Sequence, residues 1–313
     1  MTKRKSSSGA GFSPARALVI VKQTMKEMVE ASEDQRLKQL LDSESPDRER
    51  IIASDRDHRL TLEHVVNVLT DRGIICRCIE RAPGESFKVE EDMVITIGGD
   101  GTFLDASHSI LSKIPVLGVN SAPSSSHGHY CLTDRAGFEK ALDGILAGSI
   151  KFYALNRLRL ILDGETLPVP VLNEVFVSHK CPAGTTRYKL TIGDLTREKK
   201  CSGLIIAPAA GTSGFNQSAG GVLLDITSRK IAFATLAPFR PPGSDSDLLR
   251  GYIKGGSIVS VVSEMVQGAI YIDGAHISFD FPRGAVLTVD SKAPSLNAFI
   301  NPRCHSRYGE TAG

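Results

Sequence analysis

The chain has 313 residues, 37 Lys and Arg against 35 Asp and Glu, a formal charge of +2, 41% hydrophobic residues and no tryptophan. So even a balance excludes broad attraction to nucleic acid or to a membrane surface, both of which call for a concentrated basic face, and any small-molecule ligand must be recognised locally. The length points to two domains, each able to bury its own core, with one large domain as the alternative.

No apolar run approaches the roughly 20 residues that cross a bilayer, and the start, MTKRKSSSGAGF, lacks the apolar stretch of a secretory signal. A cytoplasmic protein is expected. The cysteines at 76, 78, 131, 181, 201 and 304 are too sparse for a disulfide scaffold. His127, His129 and Cys131 would share one face if their stretch were extended, but no fourth zinc ligand stands out, so a polar loop is expected there.

In chain order, residues 1–13 are basic and rich in Ser and Gly, and read as a disordered tail. Ala17 to Val21 is a short β-branched run suited to a strand buried on both faces. Residues 24–58 are charged and partly helical in pattern, with Pro46 as an interruption. Leu62, Val65, Val66 and Leu69 repeat at helical spacing before Gly73, and Ile74 to Ile79 reads as a strand. Met93 to Ile97 is a further strand, followed by Gly98-Gly99-Asp100-Gly101-Thr102 and a helix from Phe103 to about Ser112. Pro115 to Val119 is another strand, and Asp134 can cap a helix that buries Phe138, Ala141 and Ile145 and ends at Gly148.

Alternation of strands and helices over 14–150 implies an α/β domain with a Rossmann-like parallel sheet. Over 151–292 the pattern changes to strands with Asp163-Gly164 and Asp273-Gly274 as hairpin turns, so a mostly β, sandwich-like second domain is expected.

The strand, glycine turn, helix arrangement at 98–102 suits a phosphate, since bare backbone N–H groups and a helix N-terminus both favour an anion. It is neither a Walker A loop nor the dinucleotide G-x-G-x-x-G. Asp100 is the anomaly, because a carboxylate among phosphate oxygens costs about 4 kcal/mol per unit charge at about 4 Å and an effective dielectric near 20. Such a residue needs a role: holding Mg²⁺, removing a proton from an attacking hydroxyl, or simply capping the helix. Gly211 to Gly221, small and rich in hydroxyls and amides, can place a flat ligand against backbone, or can be a linker. Asn173-Glu174 interrupts the apolar VLNEVFV and is either a site or a turn.

Together these residues resemble the NAD kinase family, whose Gly-Gly-Asp-Gly-Thr, Asn-Glu and Ser-Ala-Gly-Gly stand here at 98–102, 173–174 and 218–221 in the same order. The likeness spans about 15–308 and is greatest to the plant-type NADH kinases, through IPVLGVNS, CPAGTTRYKLTI, AAGTSGFNQSAGG, IYIDG and KAPSLNAFI. It implies ATP-dependent phosphorylation of the adenosine ribose 2′-hydroxyl of NADH or NAD, with Mg²⁺ accompanying ATP and Asp100 as general base.

The resemblance further implies that Gly98, Gly99, Gly101 and Thr102 bind phosphate, and that Asn120, Asn173, Glu174, Ser202, Ser213, Gly214 and Ser218 bind the dinucleotide. It implies a C-terminal segment, 293–313, returning to the first domain, and a homodimer or higher homo-oligomer. Lys22 and Arg240 are the candidate cations for the phosphates, either of which could instead be a surface charge. Ser306-Arg307-Tyr308 is similar to a peroxisomal ending but is followed by five more residues.

Several positions depart from the common pattern. Ser202-Gly203 stands where many members have Asp-Gly, Ser213-Gly214-Phe215 where they have Thr-Ala-Tyr, and the run from Asn120 to Thr133 carries inserted serines and histidines. A neutral Ser202 beside the nicotinamide is expected to favour NADH over cationic NAD⁺. The Gly-Gly-Asp-Gly-Thr alone is shared with diacylglycerol and sphingosine kinases, so a lipid kinase is one alternative and a catalytically silent dinucleotide sensor another.

Overall fold

A computed structural model of the chain describes residues 12–42, 44–81, 86–124, 126–240 and 248–302. Residues 1–11 of the expected tail and Ser306-Arg307-Tyr308 lie outside the described residues. Two compact units are present. Among the described residues, the first holds those up to Ala106, then Ile114–Tyr153 and Asn297–Ile300; the second holds Ser107–Lys113, Ala154–Leu296 and those from Asn301.

The first unit runs β1 (Arg16–Lys22), α1 (Met25–Ala31), α2 (Gln35–Asp42), α3 (Pro46–Asp71), β2 (Ile75–Arg81), β3 (Met93–Gly98), the start of α4 (Asp100–Ser109), β4 (Val116–Asn120), β5 (Cys131–Asp134) and α5 (Phe138–Leu146). Strand β6 (Tyr153–Leu155) follows. β2, β1, β3 and β4 pair in that order, all parallel, and β5 adds to β4.

Ala17, Val19, Ile95 and Val119 pack against Val65, Val68 and Leu69 of α3 and Phe138 and Leu142 of α5. The alternate residues Leu18, Ile20 and Val94 are equally buried, so both faces of the sheet are covered. That is why these strands are apolar without alternation.

The helical pattern breaks just before Pro46, between α2 and α3, but Pro46 itself does not end a helix. It starts one: Ser45 caps the Arg48 N–H, Pro46 takes the first turn where its missing N–H costs nothing, and α3 continues for 26 residues to Asp71. The segment before it folds as two separate short helices, the first opened by a Thr24–Glu27 capping box. Gly73 follows with φ of +70°.

The second unit contains β7 (Arg159–Leu162), β8 (Glu165–Thr166), β9 (Val175–His179), β10 (Thr186–Ile192), β11 (Leu195–Cys201), β12 (Gly203–Pro208), a 3-10 turn at Ala209–Gly211, and α6 (Phe215–Ser218). It continues with β13 (Ile231–Leu236), β14 (Arg250–Ile253), β15 (Val259–Ser263), β16 (Gly268–Ile272), β17 (Ile277–Asp280) and β18 (Val286–Asp290). Two antiparallel sheets result, ordered β11-β10-β15-β18-β7-β8 and β14-β13-β12-β9-β16-β17. Leu160, Leu190, Val261 and Leu287 of one share a core with Val177, Ile206, Phe233 and Ile270 of the other, which makes a sandwich.

Both Asp-Gly hairpins form as read, with φ of 50° and 89° at Asp163-Gly164 and 50° and 115° at Asp273-Gly274. The last strand, β19 (Leu296–Phe299), pairs parallel to β4. Arg157, just before β7, is fully buried. No helix among the described residues is long and apolar enough to cross a membrane.

Candidate active site

Three parallel strands of the first unit end in a polar row. Val21 is in register with Ile97 and Gly98 with Asn120, so Lys22, the glycine turn and Asn120 lie along the carboxyl edge of the sheet, where α/β folds collect ligands. Gly98 is required sterically, since a Cβ there would stand 2.2 Å from Thr102 Oγ1. Gly101 is exposed with open space around it, and Thr102 is buried.

Asp100 is half-buried and opens α4. Its Oδ1 accepts the Tyr130 N–H at 2.8 Å, while Oδ2 has no hydrogen-bond partner among the described residues. Tyr130 is held by stacking on Phe103, ring centroids 5.2 Å apart.

Lys22 is partly buried, which pushes its pKa down, and has no acidic partner within ion-pair distance among the described residues. Behind it, His58 of α3 bonds Ser121 Oγ at 2.9 Å. Burial, and then the Lys22 ammonium, pull the His58 pKa down to about 4. The Ser121 N–H in turn donates to Gly98 O at 3.1 Å, so the glycine turn is braced from β4.

Asn120 uses its amide to shape its own loop: Nδ2 donates to Ser126 O at 2.9 Å and Oδ1 accepts the Ala122 N–H at 3.0 Å. The extended face that His127, His129 and Cys131 would need is not formed. Gly128 between the histidines has φ of +60°, and only Cys131 belongs to a strand. Among the described residues no three metal-binding side chains cluster. Burial, with the Asp100 carboxylate nearby, drives the Cys131 thiol far up.

In the second unit, Asn173 and Glu174 form a turn just before β9, not a strand position. Asn173 Nδ2 donates to Glu174 Oε2. Glu174 is 6% exposed, and burial followed by the adjacent Asp273 carboxylate pushes its pKa up to about 8. Gly211 lies so tightly on this turn that a Cβ would come 1.6 Å from Asn173 O, and a Cβ on Gly214 would meet the Asn173 amide at 3.2 Å. The glycine-rich segment is therefore not a linker but the close-packed neighbour of Asn173.

A pocket of about 400 Å³ opens beside this turn, lined by Glu174 and Ser202 with Phe176, Phe215, Tyr271 and Lys180. Phe176 packs on Phe215 with centroids 5.1 Å apart. Ser213 is half-buried ahead of α6, Ser218 is exposed at its end, and Arg240 is exposed beyond β13 and is not a lining residue.

Sequence reading missed Phe176 and Tyr271 as pocket walls and Asp273 as an organiser of the Asn173 turn. Alternation within VFV and IYI placed the aromatics on a strand face without saying which face was open. The Asp273-Gly274 pair carried only a turn signal.

A doubly covered parallel sheet with Gly-Gly-Asp-Gly-Thr at its carboxyl edge, in one chain with an antiparallel sandwich bearing an aromatic-walled pocket, defines a protein of the two-unit α/β and β-sandwich class. Residues 15–150 match the ATP-NAD kinase N-terminal domain. The chain is 35% identical over 266 residues to a probable NADH kinase of Oryza sativa subsp. japonica, covering 78% of this chain and 82% of that protein. It is 33% identical over 280 residues to an NADH kinase of Arabidopsis thaliana, covering 80% and 87%.

In fold it is similar to an NAD kinase from Archaeoglobus fulgidus in complex with ATP, with TM-score 0.68, 20% identity and coverage of 94% and 97%. The yeast NADH kinase complexed with NADH gives TM-score 0.66 at 15% identity, covering 96% and 89%. The chain belongs to the NAD kinase family and is an NAD(H) kinase.

Proposed function

We propose that the protein transfers the γ-phosphoryl of Mg·ATP to the 2′-hydroxyl of the adenosine ribose of NADH or NAD, giving NADPH or NADP, with NADH preferred. The observation that carries this is Asp100, a half-buried carboxylate at the glycine turn with one oxygen anchored to the Tyr130 N–H and the other without a partner among the described residues. Phosphoryl transfer needs positioning and charge neutralisation rather than a covalent intermediate. Asp100 Oδ2 takes the hydroxyl proton, the ribose oxygen bonds the γ-phosphorus, and the bond to the β-phosphate oxygen breaks to release Mg·ADP.

Gly98, Gly99, Gly101 and Thr102 offer backbone to the phosphates, and Lys22, a cation without a carboxylate partner among the described residues, supplies charge. Arg240 is exposed on the second unit and serves as a candidate second cation. Asn120, Asn173, Glu174, Ser213, Gly214 and Ser218 form the dinucleotide contacts. Magnesium arrives on the triphosphate as part of the substrate.

NADH preference is supported by Ser202 in the wall of the aromatic pocket, where a neutral hydroxyl gives a cationic ring no attraction, and by the relatives named NADH kinase. The test is purified protein with Mg·ATP and either NADH or NAD⁺, products identified by mass and kcat/KM compared. A clear NAD⁺ preference overturns the redox assignment. Phosphorylation of sphingosine or diacylglycerol, or tight NADH binding with no product, overturns the reaction.

A further inference from the structure

The Leu172–Glu174 turn is built around a carboxylate from elsewhere in the second unit. Asp273 Oδ1 accepts the N–H groups of Asn173 at 2.7 Å and Glu174 at 3.0 Å, and Oδ2 accepts that of Leu172 at 3.0 Å. Three successive peptide N–H groups converging on one anion form a nest, here filled by the protein's own side chain. The Asp273 N–H donates back to Glu174 O at 2.9 Å. Its side chain is 0% exposed, and the fourth bond to its carboxylate comes from His108 Nε2 at 2.8 Å.

His108 is itself held. The fully buried Arg157 guanidinium donates to Ser107 O at 2.7 Å, Ile110 O at 2.9 Å and Pro294 O at 2.7 Å, fixing the backbone on both sides of His108. Arg157 thus fixes 107–110, His108 fixes Asp273, and Asp273 fixes the turn, while Gly211 closes on it from the other side.

We infer that Asp273 and His108 are positioning residues for dinucleotide binding, holding Asn173 and Glu174 in their ligand-facing geometry. The inference rests on those two residues being dinucleotide contacts. A buried carboxylate that loses its side-chain donor keeps its charge in a medium that solvates it poorly, and the nest must distort to compensate. The Asp273 charge also helps burial keep Glu174 in its neutral acid form up to a pH of about 8. In that form Glu174 can donate a hydrogen bond to a ligand hydroxyl as well as accept one.

The experiment pairs steady-state kinetics with amide hydrogen exchange in the absence of ligand. His108→Ala removes the donor, whereas His108→Gln places an amide nitrogen near the position of Nε2. With NADH and Mg·ATP, His108→Ala should raise KM for NADH by about tenfold or more, while kcat and KM for Mg·ATP change by less than about threefold.

Exchange at 172–174 should quicken in His108→Ala, and His108→Gln should restore both readouts. Should His108→Ala not fold, His108→Asn, whose amide is too short to reach Asp273, replaces it. Unchanged exchange overturns the inference. So does a loosened turn with unchanged KM for NADH, or equal effects of Ala and Gln. Wild-type protein that phosphorylates neither dinucleotide overturns the function beneath it, an outcome distinguished by the exchange data, which need no turnover.

Discussion

Two turns, Gly98 to Thr102 in the first unit and Leu172 to Glu174 in the second, each meet a carboxylate, and they treat it in opposite ways. Asp100 is half-buried and, among the described residues, bonded through one oxygen. The Asp273 side chain is wholly buried and its carboxylate accepts four donors. A carboxylate whose lone pairs are taken up by four donors has none to offer a substrate, whereas one with an open oxygen can act as a base. The same residue type is thus the proposed base in one unit and the proposed scaffold in the other. Hydrogen-bond count, not residue identity, makes the difference.

The sharpest way to break this comparison is Asp100→Asn, which keeps an oxygen for the Tyr130 N–H but removes the base. A fall in kcat of about a hundred- to ten-thousandfold is expected, with dinucleotide binding by calorimetry nearly unchanged. Unaltered kcat would show the proton leaving by another route.

Next in size are the glycines. Gly211→Ala forces a Cβ to within 1.6 Å of Asn173 O, so a loss of about 3 kcal/mol or more is expected, read from the thermal midpoint. Gly101→Ala meets open space and should change stability by less than about 1 kcal/mol while impairing turnover. Equal destabilisation of the two would contradict the close packing of Gly211 on Asn173.

The pH dependence of stability should separate the units by sign. Glu174 is protonated in the folded chain up to about 8 but only to about 4.5 when unfolded. The folded state therefore binds the extra proton, and stability falls as pH rises across that window. His58 is neutral in the folded chain down to about 4, against 6.5 unfolded, so stability falls as pH drops from 6.5 towards 4. Glu174→Gln should flatten the first limb and His58→Asn the second, in melting curves collected across pH.

The smallest effect concerns redox choice. Ser202→Asp should move the NADH to NAD⁺ ratio of kcat/KM towards NAD⁺ by about ten- to thirtyfold, the worth of roughly one nearby charge. An unchanged ratio would place the nicotinamide away from this wall.

Much of the fold was legible because its signals are local. Apolar β-branched runs marked β1, β3 and β4, and Asp-Gly pairs marked two hairpins whose positive φ values follow from the residue types. Pro46 marked the break between α2 and α3, but that it also begins the longer helix is decided by Ser45 capping the Arg48 N–H. The strand Cys131–Asp134 went unseen because four half-buried residues without alternation become a strand only by pairing with β4.

For the candidate site, the chain itself determined the glycine turn, its carboxylate and the polar pair at 173–174, since backbone freedom and charge within a few residues suffice to mark them. Only the tertiary structure decided what holds that pair. Asp273 lies 100 residues from Asn173 and 165 from His108, and no local pattern records that a buried anion will be shared among them. The physical reason is that a turn's propensity belongs to neighbours along the chain, whereas satisfying a buried charge belongs to whatever the fold brings near it.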